Sequence, residues 1–487
     1  MRTRFPSIHS PRFAAPTFSA LFAALLLAGC ASVGPNYHAP VEKPVALQGV
    51  DAKAQLADAV PLQWWAQFKD PTLDALITQA AANSPDLKIA YARVRESRAL
   101  LSSARSAQIP DVETGVSYTR SKEQQPGFTT QRITSDTYQA GFDASWEVDV
   151  FGGVRRQVEA AGADAAASEA SLADARVSLY AEVARNYFEL RGTQLRLDVA
   201  HHNIDNQRET VRLTTARRDI GTGSDQDVAS AQARLAATEA ELPTLQTQEF
   251  ASKARLAVLL GQRPGELAID LSAKTFQPID TALPIGAADD VLRRRPDVRI
   301  AERELAAANA RIGVAKAEYF PHLSLGGFVG FLAGRSNDFG GPATRAWSIA
   351  PSISWAGLNV QRVRAGVHAS EARADAAMAN YQRTVLQAIE DVDNALVAYN
   401  LQHQRVAKLV EQAQQSRRAA ELAQVQYNEG SADFLVLLDA QRTQLAAEDE
   451  LAQGEATINT QAVALYKALG GGWQPAQPEL SQVNPSR

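Results

Sequence analysis

Residues 138–150 read YQAGFDASWEVDV, and every second one is apolar. Tyr138, Ala140, Phe142, Ala144, Trp146, Val148 and Val150 fall on one side of an extended chain. Gln139, Gly141, Asp143, Ser145, Glu147 and Asp149 fall on the other. The alternation predicts a β-strand whose faces meet two different environments. The stretch is long for a strand of a globular domain. Similar segments are few: VETGVSY (112–118), then strands near 323–331 and 345–355. In WSIAPSISW (347–355), Trp347, Ile349, Pro351, Ile353 and Trp355 share one face against Ser and Ala. Such a small set cannot close a barrel, and an open sheet in lipid leaves the backbone groups of its edges unpaired. Membrane barrels need about eight strands or more. The strands must therefore be pooled with those of other copies, three copies giving twelve. The aromatics near strand ends, Tyr118, Tyr138, Trp146, Trp347 and Trp355, stand where a membrane-interface girdle would sit. The alternative is a soluble β-sandwich lid, against which stand the strand lengths and the Asp and Glu on the inner faces.

Nearly everything else reads as helix, and it is written twice. SPDLKIAYARVRESRALLSSARSAQIP (84–110) aligns without gaps to RPDVRIAERELAAANARIGVAKAEYFP (295–321). Further on, GTGSDQDVASAQARLAATEAEL (221–242) aligns to GSADFLVLLDAQRTQLAAEDEL (430–451). The spacing predicts a helix from Asp70 to about Gln108, stopped by Pro110, then the first two strands. A proline-free helix over 154–220 follows, roughly 100 Å long at about 1.5 Å per residue. Its apolar residues Leu179, Val183, Tyr187, Leu190 and Leu197 form a coiled-coil seam. The turn GTGS leads to a helix over 225–260, with Gly221 suited to a left-handed helix end and Ser224 with Asp227 to a capping box. The second half predicts helix 287–318, two strands, helix 362–429, a turn at Gly430 and helix 433–469.

Charged residues at 21% and hydrophobic ones at 45% are those of an ordinary folded chain. A net charge of −5, with no basic run interleaved with aromatics, argues against a nucleic-acid binder. The N-terminus reads as a signal peptide, residues 1–29: Arg2, Arg4 and Arg12 precede the apolar FSALFAALLLAG. It ends in LAGC with the only cysteine, Cys30. That form resembles the lipobox of bacterial lipoproteins, in which the thiol is acylated and becomes the first residue. The mature chain then has no thiol and no disulfide. No later stretch is apolar enough for a membrane helix.

Taken in order, several motifs resemble the outer membrane efflux proteins, TolC-like and in particular the OprM- or NodT-type lipoproteins paired with RND pumps. They are VGPNYHAP after the cysteine, WWAQFKDPTLDALI (64–77), SWEVDVFGG (145–153), VARNYFELRG (183–192), LRRRPDVRIAE (292–302), LLDAQRTQLAAEDELA (437–452) and LYKALGGGW (465–473). The resemblance implies a mixed α/β membrane protein, built from an internal duplication. Three chains, contributing four strands each, would form a trimeric twelve-stranded outer-membrane β-barrel, continued by a long periplasmic α-helical coiled-coil barrel. Within the chain, residues 30–65 would be the lipidated N-terminal segment, 66–285 the first structural repeat, 286–470 the second, and 471–487 a tail in an equatorial region shared with 265–285.

The same resemblance implies an exit duct of a tripartite efflux pump, conducting drugs or other small toxic solutes passively. Its partners would be two further copies, a periplasmic adaptor (membrane fusion protein), an inner-membrane RND-type pump and outer-membrane lipid. The lipid on Cys30 (palmitate among its chains) would be the only covalent group, with no cofactor. Carried onto this chain, the periplasmic gate falls at Leu435 and Asp439, with Arg442 nearby. Three copies of Asp439 around one axis would attract cations and raise one another's pKa. Without the resemblance, Asp439 reads as a solvent-facing acid near a helix N-terminus. The adaptor-docking tips would be Gly221, Thr222, Gly223 and Ser224, and Gly430, Ser431, Ala432 and Asp433. Other readings are the duct of a type I secretion or heavy-metal export system, or a lipid-anchored coiled-coil envelope protein without a pore. His201 and His202 are adjacent, point to different helix faces and make no metal site. No H-E-x-x-H, G-x-S-x-G or CxxC occurs, so no enzyme is expected and energy must come from a partner.

Overall fold

The computed structural model describes residues 32–41, 47, 60–124, 130–274, 277–279, 283–286, 292–357 and 359–473. The signal peptide, Cys30 and the tail beyond Trp473 lie outside the described residues, as do parts of 265–285.

In chain order the elements are α1 (Pro71–Asn83), α2 (Pro85–Ser106), β1 (Asp111–Gln124), β2 (Arg132–Val148), α3 (Gly153–Asp219) and α4 (Asp225–Leu259). Then come α5 (Pro296–Ala317), β3 (His322–Ala333), β4 (Arg345–Ser354), α6 (Val360–Asn428) and α7 (Phe434–Ala468). The single helix expected from Asp70 to Gln108 is two helices. Pro85 has no N–H to donate and forces Ser84 out of the helical region (ψ 128°), so α1 ends there and α2 starts on the proline. The helix expected over 287–318 is interrupted by the same device: residues 292–294 are helical, Arg295 is not, and α5 starts on Pro296, while 287–291 lie outside the described residues. The remaining helix ends fall within a few residues of expectation. Gly221 has φ +82°, and Ser224 with Asp227 makes the reciprocal capping box.

The chain divides into two compact units. One comprises residues up to Pro40, Arg95–Ala167 and Glu302–Asn380; the other comprises Val41–Val94, Ser168–Ala301 and the chain from Tyr381.

The first unit holds the sheet. Its strands are antiparallel in the order β1-β2-β3-β4, so among the described residues the two halves of the sequence pair through β2 and β3. β1 and β4 are edges.

The second unit holds the apolar core, and it brings together motifs far apart in sequence. Trp64 stacks on Tyr466 with ring centroids 5.1 Å apart, and Leu73, Leu76, Ile77, Leu190, Leu256 and Leu465 surround them, all essentially without solvent contact. Asp70 caps α1 by accepting from Thr72 N–H (2.9 Å) and also accepts from the hydroxyl of Tyr187. That hydroxyl in turn accepts from Arg191 Nε at 3.0 Å, while Arg191 Nη1 donates to Gln194 Oε1 (2.8 Å) and to the carbonyl of Ser272. Burial, with the Asp70 carboxylate beside it, pushes the Tyr187 pKa up to about 12, so the phenol stays protonated and keeps donating. Arg295 ties the last helix in: Nη1 donates to Ala468 O (3.0 Å) and Nη2 to Asp391 (2.8 Å) and Asp297 (2.6 Å). Trp473 Nε1 donates to Arg294 O at 2.9 Å.

Leu465 is fully buried and Leu435 is 63% exposed. Leu465→Ala should therefore cost about 2–5 kcal/mol of unfolding free energy, and Leu435→Ala no more than about 0.5 kcal/mol, read from denaturant midpoints in detergent. Asp174 lines a cleft with Asp297 and Asp391, and burial, then the charge of Asp297, raises its pKa. An acid whose folded pKa is raised costs stability above that pKa and nothing below its unfolded pKa. Asp174→Asn should accordingly raise the thermal midpoint at neutral pH, and the gain should vanish as pH falls through the folded pKa toward about 4.

Candidate functional site

The pairing register of the sheet sorts its residues onto two faces. Directly opposed residues share a face, which places Val116 with Ala140, Tyr118 with Tyr138, Phe142 with Val329, Trp146 with Leu325, Val148 with Leu323, and Val329 with Trp347. Ile349, Pro351 and Ile353 continue that face on β4. It is apolar across all four strands and largely bare, with Val116 80% and Trp347 75% exposed. The other face pairs Glu113 with Asp143, Ser117 with Gln139, Ser145 with Gly326 and Ser324 with Ser352; Phe328 is its one aromatic among paired positions. Gly141 and Gly330 permit the closest strand approach, since a Cβ on Gly330 would stand 2.6 Å from Gly141 Cα.

Of the five aromatics expected at the interfaces, Trp146 and Trp355 lie toward the helix-proximal end of the sheet, whereas Tyr118 and Tyr138 pair midway along β1, where β3 ends. Tyr118 and Tyr138 lie together far from the helices, ring centroids 4.8 Å apart, with the Tyr118 hydroxyl donating to Asp136 at 2.9 Å. At the helix-proximal end, the indole N–H of Trp146 donates to Gln108 O (3.2 Å) and that of Trp355 to Tyr319 O (3.0 Å). Trp347 stands on the same face as the others, two residues inside the distal end of β4. From Tyr138 to Trp146 the strand advances about 27 Å at roughly 3.4 Å per residue.

The two helical turns are built alike. Gly221 donates to Arg218 O (2.9 Å), and Thr222 and Gly223 to Arg217 O (2.9 and 3.0 Å). Gly430 (φ +80°) donates to Tyr427 O (3.1 Å), and Ser431 to Gln426 O (2.9 Å). These are helix ends closed by left-handed glycines, with backbone donors turned back on the last carbonyls. Of the turn residues only Gly223 and Ala432 are partly covered.

The turns are joined by a contact between residues that no local pattern singles out. The guanidinium of Arg217 lies 4.4 Å from the Tyr427 ring centroid, and its Nη2 donates to Asn428 O at 3.3 Å. Tyr427 is buried with Ala231, Ala423, Phe434 and Leu437. A basic residue in the last turn of a helix reads as a helix-dipole partner, so nothing in the sequence marked Arg217 out.

Leu435 and Asp439 share one exposed stripe of α7. They border a cleft of about 770 Å³ with Leu422, Gln426, Val436 and Thr443. Arg442 Nη2 donates to Asp439 Oδ1 at 2.6 Å, so within one chain the carboxylate already has a cation. His201 and His202 are exposed; among the described residues no cluster of His, Cys, Asp and Glu fits a metal. No described helix is long and apolar enough to cross a membrane.

Comparison with known proteins matches this geometry to one group. The family model described as outer membrane efflux protein matches residues 76–262 and 287–471. Nodulation protein T of Rhizobium leguminosarum bv. trifolii is 32% identical over 471 residues, covering 95% of this chain and 98% of its own. The pyoverdine export outer membrane protein OpmQ of Pseudomonas putida is 32% identical over 433 residues, covering 87% and 91%. Among solved structures, the outer-membrane channel OprN superposes with a TM-score of 0.88 at 46% identity, covering 91% of this chain and 100% of that one. The chain belongs to the outer membrane efflux protein family.

Proposed function

We propose that this chain is the exit duct of a tripartite efflux pump, working as a homotrimer whose four-stranded sheets close into one twelve-stranded barrel. The observation that carries the reading is the sheet itself: one face is apolar across all four strands, the other is mostly polar or small apart from Ile133, Phe328 and Leu332, and both edges are unpaired among the described residues. Lipid on one side and a wet bore on the other accounts for both faces. The aromatic spacing suits the apolar band of about 25 Å that such barrels present, with Tyr118, Tyr138 and Trp347 toward the outer rim and Trp146 and Trp355 toward the periplasmic one. Closure by neighbouring copies satisfies the edges.

Helices α3, α4, α6 and α7 would then line a periplasmic tunnel, with Cys30 carrying the lipid anchor. The exposed turns at 221–224 and 430–433 would dock the adaptor, which links the duct to an inner-membrane RND-type pump. That pump supplies energy, because nothing in this chain supplies it. The relatives named for pyoverdine export, solvent efflux and toluene efflux support small solutes as the cargo class. A mostly polar bore selects little, so the choice of solute falls to the pump.

Leu435 and Asp439 would narrow the tunnel near its tip. The Arg442 partner changes the electrostatics expected of a bare carboxylate ring: three ion pairs around an axis crowd less charge than three lone acids. Steric closure by Leu435 then carries more of the seal. The Arg217–Tyr427 contact ties the two turns of one chain and holds the tip shut.

Single-channel conductance of the purified full-length protein in planar bilayers tests this reading. Arg217→Ala removes a cation–π contact of about 0.5–2 kcal/mol, which should shift the closed-to-open ratio roughly 2- to 30-fold and raise the resting current. Asp439→Ala should do the same and weaken any cation preference. Resting current unchanged by both substitutions would remove the tip as the gate. A monomer soluble without detergent after removal of its anchor would sink the duct altogether.

A further inference from the structure

Ahead of all these elements, Ser32–Pro40 lies on the unit that holds the sheet, and no role above requires it to be fastened there. Val33 N–H donates to Phe151 O at 3.0 Å, so the segment pairs with the chain just past β2. Arg156, in the first turn of α3, is 3% exposed and turns its guanidinium onto this segment. Nε donates to Val33 O (3.1 Å), and Nη2 donates to Gly34 O (3.3 Å) and Asn36 Oδ1 (2.8 Å). The remaining Nη1 donates to Glu159 at 2.7 Å. From α5, Asn309 Nδ2 donates to Pro35 O (3.2 Å), and Glu302 accepts from the Tyr37 hydroxyl (2.5 Å).

Three glycines make room for the crossing. A Cβ on Gly34, whose φ is +97°, would stand 2.5 Å from Gly313 Cα. One on Gly313 would stand 2.7 Å from Arg156 Cγ, and one on Gly152 2.7 Å from Ser32 Cα. A groove without space for a Cβ at three points, closed by a buried arginine reading backbone carbonyls, accepts one extended segment in one register. A buried cation is expensive unless its donors are used, and here three of its four contacts are spent on the N-terminal segment.

The position of this seat matters because Cys30 precedes Ser32 by only two residues, which keeps its Cα within about 7 Å of Ser32. Ser32 itself abuts Gly152, just beyond Val148, where β2 ends. The apolar face at that end is formed by Trp146 opposite Leu325 and Val148 opposite Leu323. We propose that Arg156 and the glycine groove form a docking site for the acylated N-terminal segment, and that this site lays the acyl chains of Cys30 on the rim made by Trp146, Val148, Leu323 and Leu325. The proposal rests on the lipid anchor at Cys30. Arg156 is a positioning residue: it holds the peptide and does not touch the lipid. The groove lies between α3, which leaves β2, and α5, which enters β3, so the anchor is fixed at the strand pair through which the two halves join among the described residues.

Photocrosslinking separates this site from the anchor it depends on. Cells producing the full chain are fed a fatty acid carrying a diazirine and a terminal alkyne, and their outer membranes are irradiated. Alkyne labelling of the purified protein reports acylation, and mass spectrometry of its peptides maps the adducts. The labelled chain should carry adducts concentrated in 146–151 and 320–325. Arg156→Ala should lower their yield about tenfold, the loss of at least one charge-assisted hydrogen bond, with alkyne labelling unchanged. Asn36→Ala, a milder change on an exposed side chain, should lower it in the same direction and serves if Arg156→Ala does not accumulate. A labelled chain with adducts spread evenly over the apolar face, or indifferent to both substitutions, overturns the docking site and leaves the anchor standing. A chain as unlabelled as a Cys30→Ser control overturns both.

Discussion

Every other feature of this molecule answers to the backbone hydrogen bonds at the two edges of a four-stranded sheet. In water an open edge costs little, because solvent takes the free N–H and C=O groups. In hydrocarbon each unsatisfied group costs several kcal/mol, and β1 and β4 are 14 and 10 residues long. On the proposed reading, the apolar face that spans all the strands meets hydrocarbon and the free edges take their partners from neighbouring copies. Few strands per chain is then a consequence of copy number. It also frees most of the polypeptide to be helix, which satisfies its own backbone and needs no neighbour for that purpose.

The two solvents left a clear trace in the sequence. Alternation in 138–150 gave the faces of β2 from Tyr138 to Val148, because each residue of a strand alternates sides; the strand itself begins earlier, at Arg132, and ends before Asp149. Turn glycines and the Ser224–Asp227 capping box were equally legible, since φ above zero and a reciprocal cap need particular residues. The break at Ser84 was not read: Pro85 fits the first turn of a helix as well as it interrupts one, and the apolar spacing continues across it. Longer-range contacts left no periodic mark at all. Nothing local distinguishes Arg156, Arg191 and Arg217 from the many arginines on solvated helix faces, yet two are fully buried and the third lies on an aromatic ring.

The motifs that signalled the family acquire physical reasons once the core is assembled. Asp70 caps one helix while accepting from Tyr187, Tyr187 satisfies Arg191, and Arg191 holds the chain at Ser272. Trp64 finds its stacking partner in Tyr466, and Trp473 bonds the carbonyl beside Arg295. Asp70 with Tyr187 and Trp64 with Tyr466 are contacts whose two halves lie in different motifs. Together they clamp the N-terminal helices, the long hairpins and the last helix into one core around Leu190 and Leu465.

That core does not continue unchanged along α3. Leu179, Val183, Tyr187 and Leu190 give way to Asn203, Gln207, Thr210 and Thr214, which keep the inward spacing of a seam and are just as buried. They face polar partners: Gln441 donates to Thr210 Oγ1 at 2.9 Å and Asn203 to Glu448 at 3.3 Å. Both amide atoms of Gln207 are buried without a protein partner, beside a cleft of about 740 Å³ large enough for water. Parting an apolar seam exposes surface at about 25 cal/mol per Å², whereas parting a polar one exchanges protein partners for water at a net cost of about 1 kcal/mol per bond. Polar residues at seam positions trade stability for register in this way. The hairpins are therefore held firmly where the apolar core grips them and weakly toward the turns, with the Arg217–Tyr427 cluster as the last contact before the tip. On the proposed reading, the tips are where separation of the hairpins costs least, while the apolar core stays packed.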